Sequence, residues 1–160
     1  KADKTVPIIS WHGFCYKISE GRDLMSTIIL ASHGELAKGM KDSVQMIIGA
    51  PAASLEVFCL YPGMNPEDYA KAMKARIEQD NDDYLFVCDI LGGSVYTALS
   101  QLSVHPRVSI CSGMNMNLVL SLLITQQCGL KEEQILTAVQ EAKEGITYQN
   151  GIKQEEAEDF

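Results

Sequence analysis

Residues 26–40 read S-T-I-I-L-A-S-H-G-E-L-A-K-G-M, and this stretch decides the fold. Thr27 to Ala31 is a short apolar run, which predicts a buried strand. Leu36, Met40, Val44 and Ile48 then recur at helical spacing and predict a helix from about Glu35 to Ile48. Between them sits Ser32-His33-Gly34. A polar residue and a glycine between a strand and the following helix lie at the carboxyl edge of a sheet, where open α/β sheets bind ligands.

The same alternation continues outward. Strands are predicted at Ser54–Leu60, Tyr84–Cys88 and Arg107–Cys111. Gly49-Ala50-Pro51 ends the first helix. Asn65 caps the second, with Pro66 at its first position, Glu67 and Asp68 in its first turn, and Tyr69, Met73 and Ile77 facing inward. A third helix after Gly92-Gly93-Ser94 turns Val95, Leu99 and Leu102 inward. The fourth, Asn117–Cys128, is nearly all apolar and needs cover on most sides, from the core or a second subunit. In the fifth, Leu130–Lys143, the inward residues are Ile135, Leu136, Val139 and Ala142, and Gly145 stops it. Ile146–Ile152 alternates weakly and reads as a last strand or hairpin.

This pattern specifies a doubly wound α/β fold. Four parallel strands are expected in the order 2-1-3-4, with right-handed crossovers placing helices on both faces. Residues 25–152 read as one domain. Residues 1–24 have no clean period and read as a leader or N-terminal appendage, with Met25 as the natural start and Trp11 and His12 incidental. Residues 153–160 are an acidic, frayed tail.

Composition narrows the functions. Lys and Arg number 13 against 21 Asp and Glu, a formal net charge of -8, so phosphate-rich nucleic acid is not an expected partner. The five cysteines form no C-x-x-C pair and read as buried free thiols in a reducing compartment. The longest apolar stretch, around Leu118 to Ile124, is too short to span a bilayer. The expectation is a soluble, cytoplasmic protein without direct membrane insertion.

Two signals carry chemistry. His33 and Asp89 each follow a buried strand, and neighbouring first and third strands would bring both side chains to one edge, the switch point of the sheet. An aspartate holding one imidazole nitrogen fixes the tautomer and leaves the other as a nucleophile or base. The plain alternative is that His33 caps a helix and Asp89 ends a strand. No third ligand lies near in sequence, so a metal is not expected. The second signal is Gly92-Gly93-Ser94, whose backbone amides at a helix start can hold an oxyanion. The plain alternative there is a tight turn with a serine cap. No nucleotide-loop motif of the Walker or dinucleotide type occurs, and a phosphate beside a histidine suggests a phosphohistidine carrier. His105, before Pro106, reads as a surface histidine, and Asn115 as a cap for the following helix. Met40, Met46, Met73, Met114 and Met116 read as core or interface filling.

From Met25 to about Ile152 the chain resembles the IIA domain of the mannose/fructose/sorbose family of the bacterial sugar phosphotransferase system. The resemblance rests on I-I-L-A-S-H-G-E-L-A-K-G-M, on L-F-V-C-D-I-L-G-G-S, and on Gly113-Met114-Asn115 after the fourth strand. Many members continue Gly-Gly-Ser-Pro-Phe, whereas this chain has Ser94-Val95-Tyr96. The resemblance implies that His33 is phosphorylated and paired with Asp89, with Ser94 and the amides of Gly93 to Val95 at the phosphate. It implies a phosphotransferase relay without a cofactor, from HPr through His33 to a separate IIB component that serves IIC and IID in the membrane. Lys38, Met40 and Lys41 on the first helix are candidates for the docking face. Family members also resemble homodimers that exchange the last strand, which would place Ile146–Ile152 on a partner's sheet. Two related alternatives are a regulatory phosphoacceptor domain and the phosphotransfer subunit of a dihydroxyacetone kinase system. The transported sugar is not written in a IIA domain.

Overall fold

The computed structural model describes residues 26–126 and 130–150. The expectations for residues 1–24 and for the acidic tail lie outside the described residues, as do Cys15 and Cys128. Four strands, β1 (Ser26–His33), β2 (Glu56–Leu60), β3 (Asp83–Cys88) and β4 (Val108–Ser112), form one parallel sheet in the order β2-β1-β3-β4. The expected strand order and crossed layers are therefore present. Five α-helices accompany it: α1 (Leu36–Ile48), α2 (Pro66–Gln79), α3 (Ser94–Ser100), α4 (Met116–Gln126) and α5 (Glu132–Glu144).

The two-residue period of β1 sorts its side chains between two cores. Ile28 and Leu30 face the layer of α1, α4 and α5, where they meet Val44, Leu118, Leu122 and Ala138. Ile29 and Ala31 face the layer of α2 and α3, where they meet Met73, Ile77, Val95 and Leu99. Both faces of β1 are thus sealed, which is why its sequence is a continuous apolar run rather than an alternating one. The same period directs Ser32 toward α1 and His33 toward α3.

Several boundaries and faces differ from the sequence reading. β1 extends to His33, so the histidine is the last strand residue, opposite Leu60 of β2. β2 begins at Glu56 because Ala50–Ser54 winds into a 3-10 turn, in which the Ser54 hydroxyl donates to the Pro51 carbonyl. The buried face of α1 is carried by Ala37 and Val44, with Met40 and Ile48 partly covered; Leu36 is 48 % exposed. On α5, Leu136 is 60 % exposed and the small Ala138 is buried instead, beside the expected Ala142. These alanines let α5 lie close to α4, and Gly145 continues the close approach: a Cβ there would fall 1.7 Å from the Asn117 amide nitrogen. α5 therefore covers α4 within the chain, where Leu118, Val119, Leu122 and Leu123 are buried. The apolar character of α4 does not by itself call for a second subunit. Residues 146–150 form neither helix nor strand in the single chain, and Ile146 and Tyr148 are exposed.

The amino-terminal end of the sheet is locked by polar contacts. Arg107 donates to the carbonyls of Asp82 and Ile77 at 2.6 Å each, tying the end of α2 to the start of β4. Tyr84 donates to Asp80, and Arg76 lies over the Tyr84 ring while its two terminal nitrogens grip Glu56 at 2.7 and 2.8 Å. The hydrogen bonds from Arg76 hold the Glu56 carboxyl below its usual range against the opposing effect of burial. The carboxyl edge of the sheet is built quite differently.

Candidate functional site

At the carboxyl edge three connections converge: β1 to α1, β2 to α2 and β3 to α3. His33 is fixed there at both backbone and ring. Its backbone N–H and its Nδ1 each lie 2.8 Å from the same oxygen, Oδ2 of Asp89. The other carboxylate oxygen accepts the Ile90 amide at 2.8 Å, and the Asp89 amide itself donates to Ala31 at 3.1 Å. An ionised carboxylate can only accept, so Nδ1 carries a proton, and in the neutral ring this leaves Nε2 its lone pair. The Ser94 hydroxyl stands 3.0 Å from Nε2, within reach to donate to that lone pair. The sequence reading left the second ring nitrogen as an unengaged nucleophile or base; in the folded chain that nitrogen is Nε2, and Ser94 stands against it.

Ser94 can do this because it is not the cap of α3. Gly93 holds the capping position and Ser94 is the first helical residue, so its hydroxyl projects from the helix start. The first helical bond of α3 runs from the Thr97 amide to Gly93 at 2.8 Å. Helix geometry leaves the amides of Ser94, Val95 and Tyr96 as first-turn donors. The Gly93 amide is not in the same position, because it points back to Ile90 O at 3.4 Å.

Gly93 matters chiefly for what it lacks. A Cβ at this residue would lie 3.1 Å from His33 Cε1 and 2.7 Å from Ile90 Cγ2. The imidazole cannot yield freely, since it is already held at both ends. Gly92 takes φ 75°, a left-handed conformation that glycine adopts without steric cost. The two glycines thus have separate reasons: one turns the chain, and the other makes room for the ring.

The carboxylate is largely covered and the ring is not. The Asp89 side chain is 11 % exposed and that of His33 is 45 % exposed. Burial of Asp89 raises its pKa. The hydrogen bonds from the His33 amide and ring and from the Ile90 amide outweigh burial and hold it below the usual aspartate value. The site therefore presents a fixed anion behind an accessible imidazole whose outward nitrogen faces the Ser94 hydroxyl. Such an arrangement suits a nucleophile that becomes positively polarised when it reacts.

The other sequence candidates separate clearly. Lys38 is exposed and pairs loosely with Glu35 at 3.7 Å. Lys41 turns away to donate to the Leu55 carbonyl at 2.6 Å, and Met40 packs against the core, so neither presents its functional end to a partner. Leu36, Ile90 and Leu91, all from connections that carry His33 or Asp89, are exposed instead. Asn115 caps α4 by accepting the Leu118 amide at 3.0 Å. His105 lies before β4, at the opposite edge of the sheet from His33, where its Nδ1 accepts the Arg107 amide at 3.3 Å. Burial pushes the Cys88 thiol up to about 12 and also raises that of Cys111, which leaves both thiols protonated and inert. No helix of the described residues is long and apolar enough to cross a membrane.

Comparison with known proteins agrees with the architecture. The family described as the PTS system fructose IIA component matches over residues 27–140, a span that contains His33, Asp89 and Ser94. A sorbose-specific EIIA component of the phosphotransferase system from Klebsiella pneumoniae is 32 % identical over 100 residues, which are 61 % of this chain and 73 % of that protein. A Klebsiella pneumoniae crystal structure assigned to the phosphoenolpyruvate-dependent sugar phosphotransferase system superimposes with a TM-score of 0.72 at 29 % identity, covering 81 % of this chain and 96 % of that one. The mannose/sorbose-specific IIA subunit from Enterococcus faecalis shares the fold, with a TM-score of 0.67 at 20 % identity over 80 % of this chain and 97 % of that one.

The depressed Asp89 carboxyl has a measurable consequence. A group whose folded pKa lies below its unfolded value contributes stability above the unfolded pKa and loses it as pH falls through the folded one. The difference in unfolding free energy between the wild type and Asp89→Asn should therefore shrink as pH is lowered from about 6 to about 2. A difference independent of pH would show that the carboxylate charge is not engaged.

Proposed function

The chain belongs to the IIA family of the sugar phosphotransferase system, and from that membership we propose that His33 is a phosphoryl carrier, loaded by phosphorylated HPr and unloaded to a histidine of a IIB component. Membership sets a transferase-type role in sugar uptake. The finer assignment, with its donor and acceptor, is supported by one observation above the others: Nδ1 of His33 is held by Asp89 at 2.8 Å while Nε2 meets only a hydroxyl, at 3.0 Å.

In the proposed step the Ser94 hydroxyl rotates off Nε2. The freed lone pair attacks the phosphorus on the donor histidine, forming an N–P bond as the donor's N–P bond breaks and its electron pair returns to the donor ring. Asp89 keeps the proton on Nδ1 and offsets the positive charge that the imidazole acquires. Ser94 O–H and the first-turn amides of Ser94 and Val95 donate to the phosphoryl oxygens, and the Gly93 backbone lets them approach. Transfer to the IIB component reverses the same motions. The energetic demand on the site is small, because a phosphohistidine is exchanged for a phosphohistidine. Orientation is the main contribution.

Docking falls to Lys38 and the exposed Leu36, Ile90 and Leu91, while Met40 and Lys41 support α1 from beneath. This relay places the domain, residues 25–152, in the cytoplasm, facing the IIC and IID membrane proteins through IIB. The proposal extends to a homodimer in which the segment from Ile146 adds a strand to the sheet of a second copy. Two features favour this: Ile146 and Tyr148 alternate and are 76 % and 87 % exposed, and the outer edge of β4 runs beside a groove lined by Ser109, Ile110, Leu130 and Ile135.

Incubation with enzyme I, HPr and phosphoenolpyruvate should add one acid-labile phosphoryl group, mapped by mass spectrometry to His33. His33→Ala should abolish it, and Asp89→Ala should slow it by about 100-fold while the fold survives. Labelling at His12 or His105 instead, or none with active partners, would overturn the reading. Sedimentation at micromolar concentration should show a species of twice 17.6 kDa; a monomer alone would refute the dimer.

A further inference from the structure

We infer that Ser32 is a positioning residue for the transfer step, a role that rests on the reading of His33 as the phosphoryl acceptor. Ser32 is the one polar side chain fully buried among the described residues, with 0 % exposure. Its hydroxyl accepts the Ala37 amide of α1 at 2.8 Å and donates to the Gly34 carbonyl at 3.4 Å. Ser32 therefore grips both ends of the turn that carries His33, from inside the core.

The local capping of α1 shows why this grip is needed. Glu35 occupies the capping position but makes no side-chain capping bond. Ala37 is the second helical residue, and its amide would be an unpaired donor facing a buried strand end. Ser32 supplies the missing acceptor from upstream of the turn. The helix start, and with it the path of residues 33–35, is thereby fixed to the end of β1. Two further bonds pin the same turn from outside: Gly34 N–H to Leu60 at 2.8 Å, and His33 N–H to Asp89 at 2.8 Å. Gly34 takes φ 55°, so the turn itself has little steric preference for one path and depends on these ties.

The consequence reaches the imidazole through Asp89. One carboxylate oxygen serves both the His33 amide and Nδ1, so its bond to the ring is well formed only while the backbone amide stays in place. Releasing the turn at Ser32 would let the His33 backbone drift relative to Asp89. The two nitrogens would then compete for Oδ2, and the selection of the Nδ1–H tautomer would weaken. Ser32 thus controls which nitrogen is nucleophilic, without touching the ring or the phosphoryl group.

The test compares Ser32→Ala and Ser32→Thr with Ile77→Ala, a core control at the other end of the sheet that lies 2 % exposed. Imidazole nitrogen-15 spectra of the unphosphorylated proteins are read first. Wild type and Ser32→Thr should show the Nδ1–H form alone, and Ser32→Ala should add signals of the Nε2–H form. Phosphoryl acceptance by Ser32→Ala should fall by about tenfold, with Ser32→Thr restoring most of it and Ile77→Ala unaffected. Should Ser32→Ala not fold, Ser32→Cys removes the strong acceptor at similar volume and is read the same way. Wild-type imidazole signals in the variant, or a rate no lower than that of Ile77→Ala, would reduce Ser32 to a helix cap and overturn the inference. The spectra need no phosphoryl donor, so they still report on Ser32 if His33 proves not to accept phosphate.

Discussion

A single oxygen, Oδ2 of Asp89, receives two hydrogen bonds from one residue, the amide and the Nδ1 of His33, both at 2.8 Å. Everything else at the carboxyl edge serves that junction. Adjacent β1 and β3 bring Ala31 opposite Cys88, so the residues that follow emerge side by side. The sealed faces of β1 keep the strand from sliding, since a shift by one residue would turn its apolar side chains to the wrong layer. The carboxylate is sheltered enough to hold its geometry, and it stays ionised because three donors converge on it.

The second constraint is steric. The imidazole lies close over a glycine, and the hydroxyl that meets its outer nitrogen comes from the very next residue. Chemistry and packing are thus satisfied by a short stretch, Asp89 to Ser94, that supplies the anion behind the ring, the space beside it and the donor in front of it. Departure from the Gly-Gly-Ser-Pro pattern at Val95 leaves this intact, because Val95 contributes a buried side chain to the core and its backbone amide to the first turn of α3.

Much of this was legible in the residue order. Apolar runs of strand length alternating with helical periods are enough for a parallel sheet, and a polar residue after each of two buried strands is enough to suspect a pair. The phase of α1 was harder. Leu36 fits a helical stripe through Met40, Val44 and Ile48, and those three do turn inward, but at the helix start Ala37, whose amide meets Ser32, is buried in place of Leu36. On α5 the inward Ile135, Val139 and Ala142 were legible; Leu136 also looked like a core residue, yet close packing against α4 selected the small Ala138 instead. Ser32 itself read only as part of the connection between strand and helix, because nothing in sequence reveals that a hydroxyl will reach five residues ahead to a helix amide. The one available signal was that Glu35 is a poor cap for a helix that plainly starts there. Lys41 was a reasonable docking residue by charge and position, and only the folded chain could show its ammonium turned to Leu55.

The account claims above all that Asp89 makes Nε2, not Nδ1, the nitrogen that reacts. Nitrogen-15 and phosphorus-31 spectra of the phosphorylated, imidazole-labelled protein test this most directly. The account predicts phosphorus coupled to Nε2 of His33, with Nδ1 still protonated and hydrogen-bonded. Phosphorus coupled to Nδ1 would contradict it, since that nitrogen could be reached only if the bond to Asp89 were broken first.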